Sequence, residues 1–155
     1  MDLDLTPKMV VKEAMSSPVV TVSEDEDIVK VAKMMETGNI GAIIVADKEG
    51  KPLGIVTERD IVIRVVAKGE TPKKVRVKEV MTSPLKMVSS DTTLIDAMSL
   101  MNKLNIRRLG VSYKGGLVGV VTEKDILRLV PAIIEIAQER SRIMGGETPT
   151  GPSLE

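Results

Sequence analysis

The stretch "GIVTERDI" at residues 54–61 returns almost letter for letter as "GVVTEKDI" at residues 119–126. In each copy an apolar run ends in a threonine and an aspartate follows three residues later: Thr57 with Asp60, and Thr122 with Asp125. β-Branched residues leading into Thr-x-x-Asp predict a strand that feeds straight into a helix, since a hydroxyl and a carboxylate at that spacing can satisfy the free N–H groups of a helix start. Two readings of the pair stay open. It is a capping box copied with its surroundings, or it holds a ligand that needs one hydroxyl and one carboxylate at that separation.

The repetition extends well beyond the junctions. "VKEAMSSP" at residues 11–18 matches "VKEVMTSP" at residues 77–84, an offset of 66. Val22, Ser23 and Asp25 then meet Val88, Ser89 and Asp91, and Met35, Asn39, Ile40 and Val45 meet Met101, Asn105, Ile106 and Val111. The loop "ADKEGKPLG" is answered by the shorter "SYKGGLVG", after which the offset is 65 and the junctions align.

Each copy reads in the same order. A short apolar stretch, Val19 to Val22 or Leu85 to Val88, precedes a polar cluster in which Ser23 and Glu26 have capping-box spacing. An amphipathic helix is expected next, with Ile28, Val31, Ala32 and Met35 on one face, and with Leu94, Ala97, Met98 and Met101 repeating that stripe. Gly38-Asn39 ends the first of these helices, and "AIIVA", unbroken by polar residues, predicts a buried strand; "RLGVS" is its counterpart. A turn and another strand lead into a second helix, from Glu58 to about Val66 and from Glu123 to about Val130.

The expected fold class is therefore α/β (α+β), built from two β-α-β-β-α repeats. Repeat 1 spans residues 8–66, a Gly- and Pro-bearing linker 67–76, and repeat 2 residues 77–130. A further amphipathic helix is expected over 131–144, with Ile133, Ile136, Ala137 and Met144 near one face, and a disordered tail over 145–155. A unit of this size rarely builds a sufficient core alone, so the two repeats should pack about a pseudo-twofold axis that leaves a cleft between equivalent junctions.

Composition narrows the function. Of the 155 residues 43% are apolar, enough for a real core, yet there is no Phe or Trp and a single tyrosine, Tyr113, so stacking platforms for single-stranded nucleic acid are not expected. Basic and acidic residues both number 22, which removes any bulk attraction to nucleic acid or anionic membrane. The chain has no Cys and no His, and with them go disulfides, thiolate nucleophiles, the usual zinc ligands and the commonest general base. No Gly-rich phosphate loop or nucleophile-base pair is visible, so no enzyme and no metal site is expected. "MDLDLTPKMV" carries early acids and no apolar core, and no run approaches the roughly 18 apolar residues of a membrane span, which reads as a soluble, cytoplasmic protein.

With the "M-[ST]-S-P" start, the Asn-Ile element before the middle strand and the closing "G-h-V-T-E-[RK]-D-I" (h, apolar) all present twice and in order, the chain resembles a tandem pair of CBS domains over about residues 8–130. This is the module named after cystathionine β-synthase, also called a Bateman module. The resemblance implies a regulatory sensor that binds AMP, ADP or ATP, and sometimes S-adenosylmethionine, in clefts between the repeats and signals to a partner protein. It implies that Asp60 and Asp125 accept hydrogen bonds from ribose hydroxyls, with Thr57 and Thr122 reaching ribose or phosphate. It places Asp125 with Ser17, Pro18, Val19, Ile40, Gly41 and Ala42, and Asp60 with Leu85, Ile106 and Arg107.

Arg107 and Arg108 have Gly41 and Ala42 at the aligned positions, and successive residues at a strand entrance point in different directions, so only one of them should face a cleft; they are either solvated surface charge or, as the resemblance implies, one of them meets phosphate. Arg59 and Lys124, inside the motifs, either reach phosphate or remain on the surface. Methionines on the helices read as core filler. The chain departs from the family where the middle strand commonly carries proline, since Ile44 and Gly110 stand there. Gly41, at a position open to a basic residue, makes the cleft with Asp125 a weaker phosphate site unless charge arrives from the opposite repeat. The alternative to a sensor is a structural dimerisation module without a physiological ligand, because CBS pairs commonly form homodimers through their helices and the aliphatic helix faces here suit either reading.

Overall fold

The computed structural model describes residues 9–145. Each repeat forms a three-stranded sheet. In the first, β1 (Thr21–Ser23) runs parallel to β2 (Ala42–Ala46), which pairs antiparallel with β3 (Pro52–Thr57). In the second, β4 (Met87–Ser89), β5 (Arg108–Tyr113) and β6 (Gly116–Thr122) repeat that arrangement. The connection from β1 to β2 is helix α1 (Ile28–Gly38), and that from β4 to β5 is α3 (Leu94–Leu104). Helix α2 (Glu58–Ile61) continues β3 directly and runs on as a π-helical turn over Val62–Val66; α4 (Glu123–Leu127) continues β6 and gives way to α5 (Val130–Ile143). Among the described residues no helix is long and apolar enough to cross a membrane.

Strand β2 is sealed because its run of aliphatic residues has a covered surface on both sides: Ile43, Ile44 and Val45 are all buried. Helices α1 and α3 end where Asn39 and Asn105 take left-handed backbone angles, φ 50° and 54°, a conformation that asparagine tolerates better than most side chains. Their starts lie later than the sequence suggests. Asp27 and Thr93 cap them, accepting hydrogen bonds from the N–H groups of Lys30 and Asp96, whereas Ser23 and Ser89 close small turns by accepting from Asp25 and Asp91. An antiparallel bridge between Asp27 and Arg76 keeps the chain extended until Asp27 and so delays the first helix. The buried stripe is also narrower than expected. Ile28, Val31 and Met35 are covered, as are Leu94, Ala97 and Met101, while Ala32 and Met98 face outward. On α5 only Ile133 packs against a core; Ile136 and Met144 are exposed. Gly145 ends the described chain, so the expected tail falls outside the described residues.

The "M-[ST]-S-P" segments do not pack where the sequence repeat puts them. Val11 is fully buried in the core of the second repeat with Leu94, Leu109 and Val121, and its N–H donates to the Thr92 carbonyl at 2.8 Å. Val77 and Val80 are buried in the core of the first repeat with Ile28, Val45 and Val56, and the Val77 N–H donates to Glu26 at 2.8 Å. Each lead-in thus completes the other repeat. Reciprocal backbone bridges pin the exchange, Ser16 with Val120 and Thr82 with Ile55, and they bring a foreign chain against Gly119 and Gly54.

Candidate functional site

Both Thr-x-x-Asp pairs form complete capping boxes. Thr57 Oγ1 accepts from the Asp60 N–H at 3.1 Å while Asp60 Oδ2 accepts from the Thr57 N–H at 3.0 Å. The second pair repeats this at 3.1 Å and 2.9 Å. A cap uses one carboxylate oxygen, so the question of ligand binding passes to the other, Oδ1. In Asp125 that oxygen lies 3.6 Å from Arg128 Nη1; in Asp60 it accepts from the Thr82 hydroxyl at 3.3 Å and lies 3.8 Å from Arg64 Nε.

Asp125 opens onto a cleft between the repeats of about 600 Å³, within the range usual for small-molecule sites. Pro18 and Val19 reach it from the crossing that follows the first lead-in, and Ile40, Gly41 and Ala42 from the entrance to β2. Thr122, Lys124 and Asp125 face them from the junction of β6 and α4. Of the residues expected beside Asp125 only Ser17 lies elsewhere, on a neighbouring depression bordered by the hairpin turns at Gly50 and Gly116.

Arg107, expected beside Asp60, lines the Asp125 cleft instead, and Arg108 lines it too. The alternation that should have parted them applies only within a strand, and Arg107 stands in a bend just before β5 begins. Arg107 Nε lies 3.9 Å from Glu123 Oε2 on a side chain that is 80% exposed. Arg108 Nη2 lies 3.7 Å from the point a Cβ on Gly41 would occupy, so the small residue of one repeat makes room for the cation of the other. That supplies the charge that Gly41 itself cannot.

Of the other residues expected beside Asp60, Ile106 packs against the second core and Leu85 leans on Gly110; Arg59, inside the first motif, is exposed. Where proline was expected, Ile44 sits inside an intact strand, buried and in contact with the Asp125 cleft.

Three charged residues of the cleft escaped the sequence reading: Glu58, Glu123 and Arg128. Arg128 was within reach of it, because a residue three places after Asp125 shares its helical face. Glu58 could be placed only by knowing that the two junctions converge. With these included, Arg107, Arg108, Lys124 and Arg128 stand against Glu58, Glu123 and Asp125. The walls between are aliphatic, from Val19, Ile40, Ile44, Ile55 and Val120. Such a cleft can receive a flat apolar group between its walls, vicinal hydroxyls at Asp125 and an anionic group at the guanidinium rim. Among the described residues no cluster of acids suited to a metal ion occurs.

The comparisons with known proteins agree with one another. The CBS domain family profile matches the chain twice, over residues 11–67 and 77–132. An uncharacterized protein of Methanopyrus kandleri is 35% identical over 133 residues, which cover 85% of this chain and 68% of that protein. A CBS-domain containing protein of Agrobacterium tumefaciens has a similar solved structure, with a TM-score of 0.72 at 28% identity over 83% of this chain and 97% of that one. The hexameric CBS-CP12 protein from bloom-forming cyanobacteria gives 0.74 at 30% identity, over 89% and 88% of the two chains.

Proposed function

Because the chain belongs to the CBS domain family, whose pairs are generally regulatory modules, we propose that it is a sensor that binds an adenosine nucleotide in the Asp125 cleft and passes the occupancy to a partner protein. The observation that carries this reading is the convergence of Thr122, Asp125 and four cationic side chains on one cleft with aliphatic walls. Asp125 Oδ1 accepts from the ribose hydroxyls, and the arginines at the rim of the same cleft meet phosphate. Four cations favour AMP, ADP or ATP over S-adenosylmethionine, whose sulfonium would add a further positive charge. The module acts by preferring one conformation when occupied, not by turnover.

Calorimetric titration of AMP, ADP, ATP and S-adenosylmethionine tests the reading. Saturable nucleotide binding is expected, weakened in Asp125→Ala by the loss of charge-assisted hydrogen bonds worth roughly 1.5–3 kcal/mol each. Silence from all four ligands on a folded wild-type protein would overturn it.

A second reading, a dimerisation module, is favoured by the exposed aliphatic side chains Val62, Ile63, Val66, Ile95 and Leu127 on the helices. The assembly of the cyanobacterial relative is in keeping with it. Sedimentation with and without nucleotide separates the two: self-association indifferent to every ligand supports the dimerisation module alone.

A further inference from the structure

We propose that the chain binds one nucleotide and not two, because Arg64 occupies the second cleft as a built-in cation. The inference rests on the reading of the Asp125 cleft as a nucleotide site. The two junctions carry the same motif, but their surroundings differ at a residue that lies outside it. Arg64 Nη1 donates to the carbonyls of Val80 and Met81, both at 3.0 Å, while its Nε lies 3.8 Å from Asp60 Oδ1. Its guanidinium therefore ties the helix after β3 to the second lead-in, the two elements between which a ligand at Asp60 would have to enter. The Thr82 hydroxyl donates to the same Oδ1. A ribose arriving there would have to break both contacts and strand two carbonyls.

The second repeat lacks this clamp. The residue aligned with Arg64 is Leu129, which packs against the second core. The nearest cation, Arg128, approaches Asp125 Oδ1 from a side chain that is 76% exposed, whereas that of Arg64 is 46% exposed. Arg128 is free to swing toward phosphate; Arg64 is held at three points.

The remaining cations follow the same asymmetry. By position in the repeat, Arg107 and Arg108 belong beside Asp60, yet both line the Asp125 cleft, Arg108 reaching toward Gly41 and Arg107 lying beside Glu123. The Asp125 cleft thus gathers four cations, all from the second repeat, whereas Arg64 beside Asp60 is already engaged with two carbonyls and the carboxylate.

Calorimetry with AMP as the probe tests this on the full chain. Wild type should bind one AMP per chain, Asp125→Ala should weaken binding at least tenfold, and Asp60→Ala should change affinity less than twofold. Arg64→Leu, which copies Leu129, should gain a second site that Asp60→Ala then removes. Two sites in wild type, or a single site lost on Asp60→Ala, would overturn the proposal, and a folded Arg64→Leu that still binds one AMP would overturn the role of Arg64. Should Arg64→Leu fail to fold, the wild-type stoichiometry and the two aspartate variants decide alone. Absence of any binding in wild type has its own signature, because it removes the nucleotide reading together with the inference.

Discussion

Gly54 and Gly119 hold the same place in the two repeats, each bridged by the lead-in of the other, yet what presses on them differs. A Cβ on Gly54 would lie 2.5 Å from the Thr82 carbonyl oxygen and 3.1 Å from Ser83 Cβ. On Gly119 it would lie 2.6 Å from the sulfur of Met15 and 3.0 Å from the Ser16 carbonyl. Aligned neighbours press on both, but backbone comes nearest in one repeat, with the Met81 sulfur at 3.2 Å, and a pliable thioether comes nearest in the other. Sequence symmetry fixes which segments meet, and the side chains at the contact decide how much each meeting tolerates.

The sharpest way to break the comparison is to add the methyl group. Gly54→Ala should destabilise by about 2–3 kcal/mol and Gly119→Ala by about 1 kcal/mol, since methionine can turn aside where a bridged carbonyl cannot. Urea unfolding followed by far-ultraviolet circular dichroism reads the difference, and equal losses would mean that Ser16, not Met15, sets the limit.

Exchange of the lead-ins makes a crossed prediction. Val77→Ala and Val11→Ala each empty a fully buried site and should cost about 2 kcal/mol. In hydrogen exchange, however, Val77→Ala should loosen β2 and β3, far from it in repeat order, while Val11→Ala loosens β5 and β6. Loosening of each variant's own repeat would contradict the exchange.

The caps should behave alike, because their geometry is alike. Thr57→Ala and Thr122→Ala are each expected to lose about 1 kcal/mol without ligand. A clearly larger loss at one of them would locate a structural duty beyond the cap.

The smallest effect concerns an exposed ion pair present in one copy only. Lys78 Nζ lies 2.9 Å from Asp25 Oδ1, and this hydrogen bond, reinforced by charge attraction, holds Asp25 below its ordinary 3.8 and Lys78 above its ordinary 10.5. The aligned Lys12 and Asp91 form no such pair among the described residues. A lowered carboxylate gives stability that is present above pH 3.8 and fades as pH falls through its folded value. A raised ammonium gives stability that is present below pH 10.5 and fades as pH rises past its folded value. Lys78→Ala should therefore flatten both ends of a melting-temperature profile slightly, and Lys12→Ala should leave both as they are.

Much of this arrangement was legible in the residues. The duplication, the strand-to-helix junctions with their caps, the buried run of β2 and the company of Asp125 on the β2 side all rest on short-range pattern, and short-range pattern survives folding. What failed depended on contacts between distant segments. Ser23 has the spacing of a cap, but the bridge to Arg76 moved the helix start to Asp27. Ala32 and Met98 fit a helical stripe, but the underlying sheet covers only part of it. Arg108 reaches across the interface into space that Gly41 leaves open, and nothing local to Arg108 records that.

The crossed lead-ins also impose a calendar on synthesis. Chains emerge from the ribosome in order, at roughly 5–20 residues per second. The first sheet can close its core once Val77 and Val80 have been made, shortly after its own last strand. Val11 is made before every other fully buried residue of its core, and it must wait for Leu94, Leu109 and Val121. The segment translated before both sheets is therefore among the last to be seated, and through that interval its aliphatic residues stand uncovered. A chain truncated near residue 100 and freed from the ribosome should have a protected first sheet and a protease-sensitive Val11 segment, which the full-length chain seals.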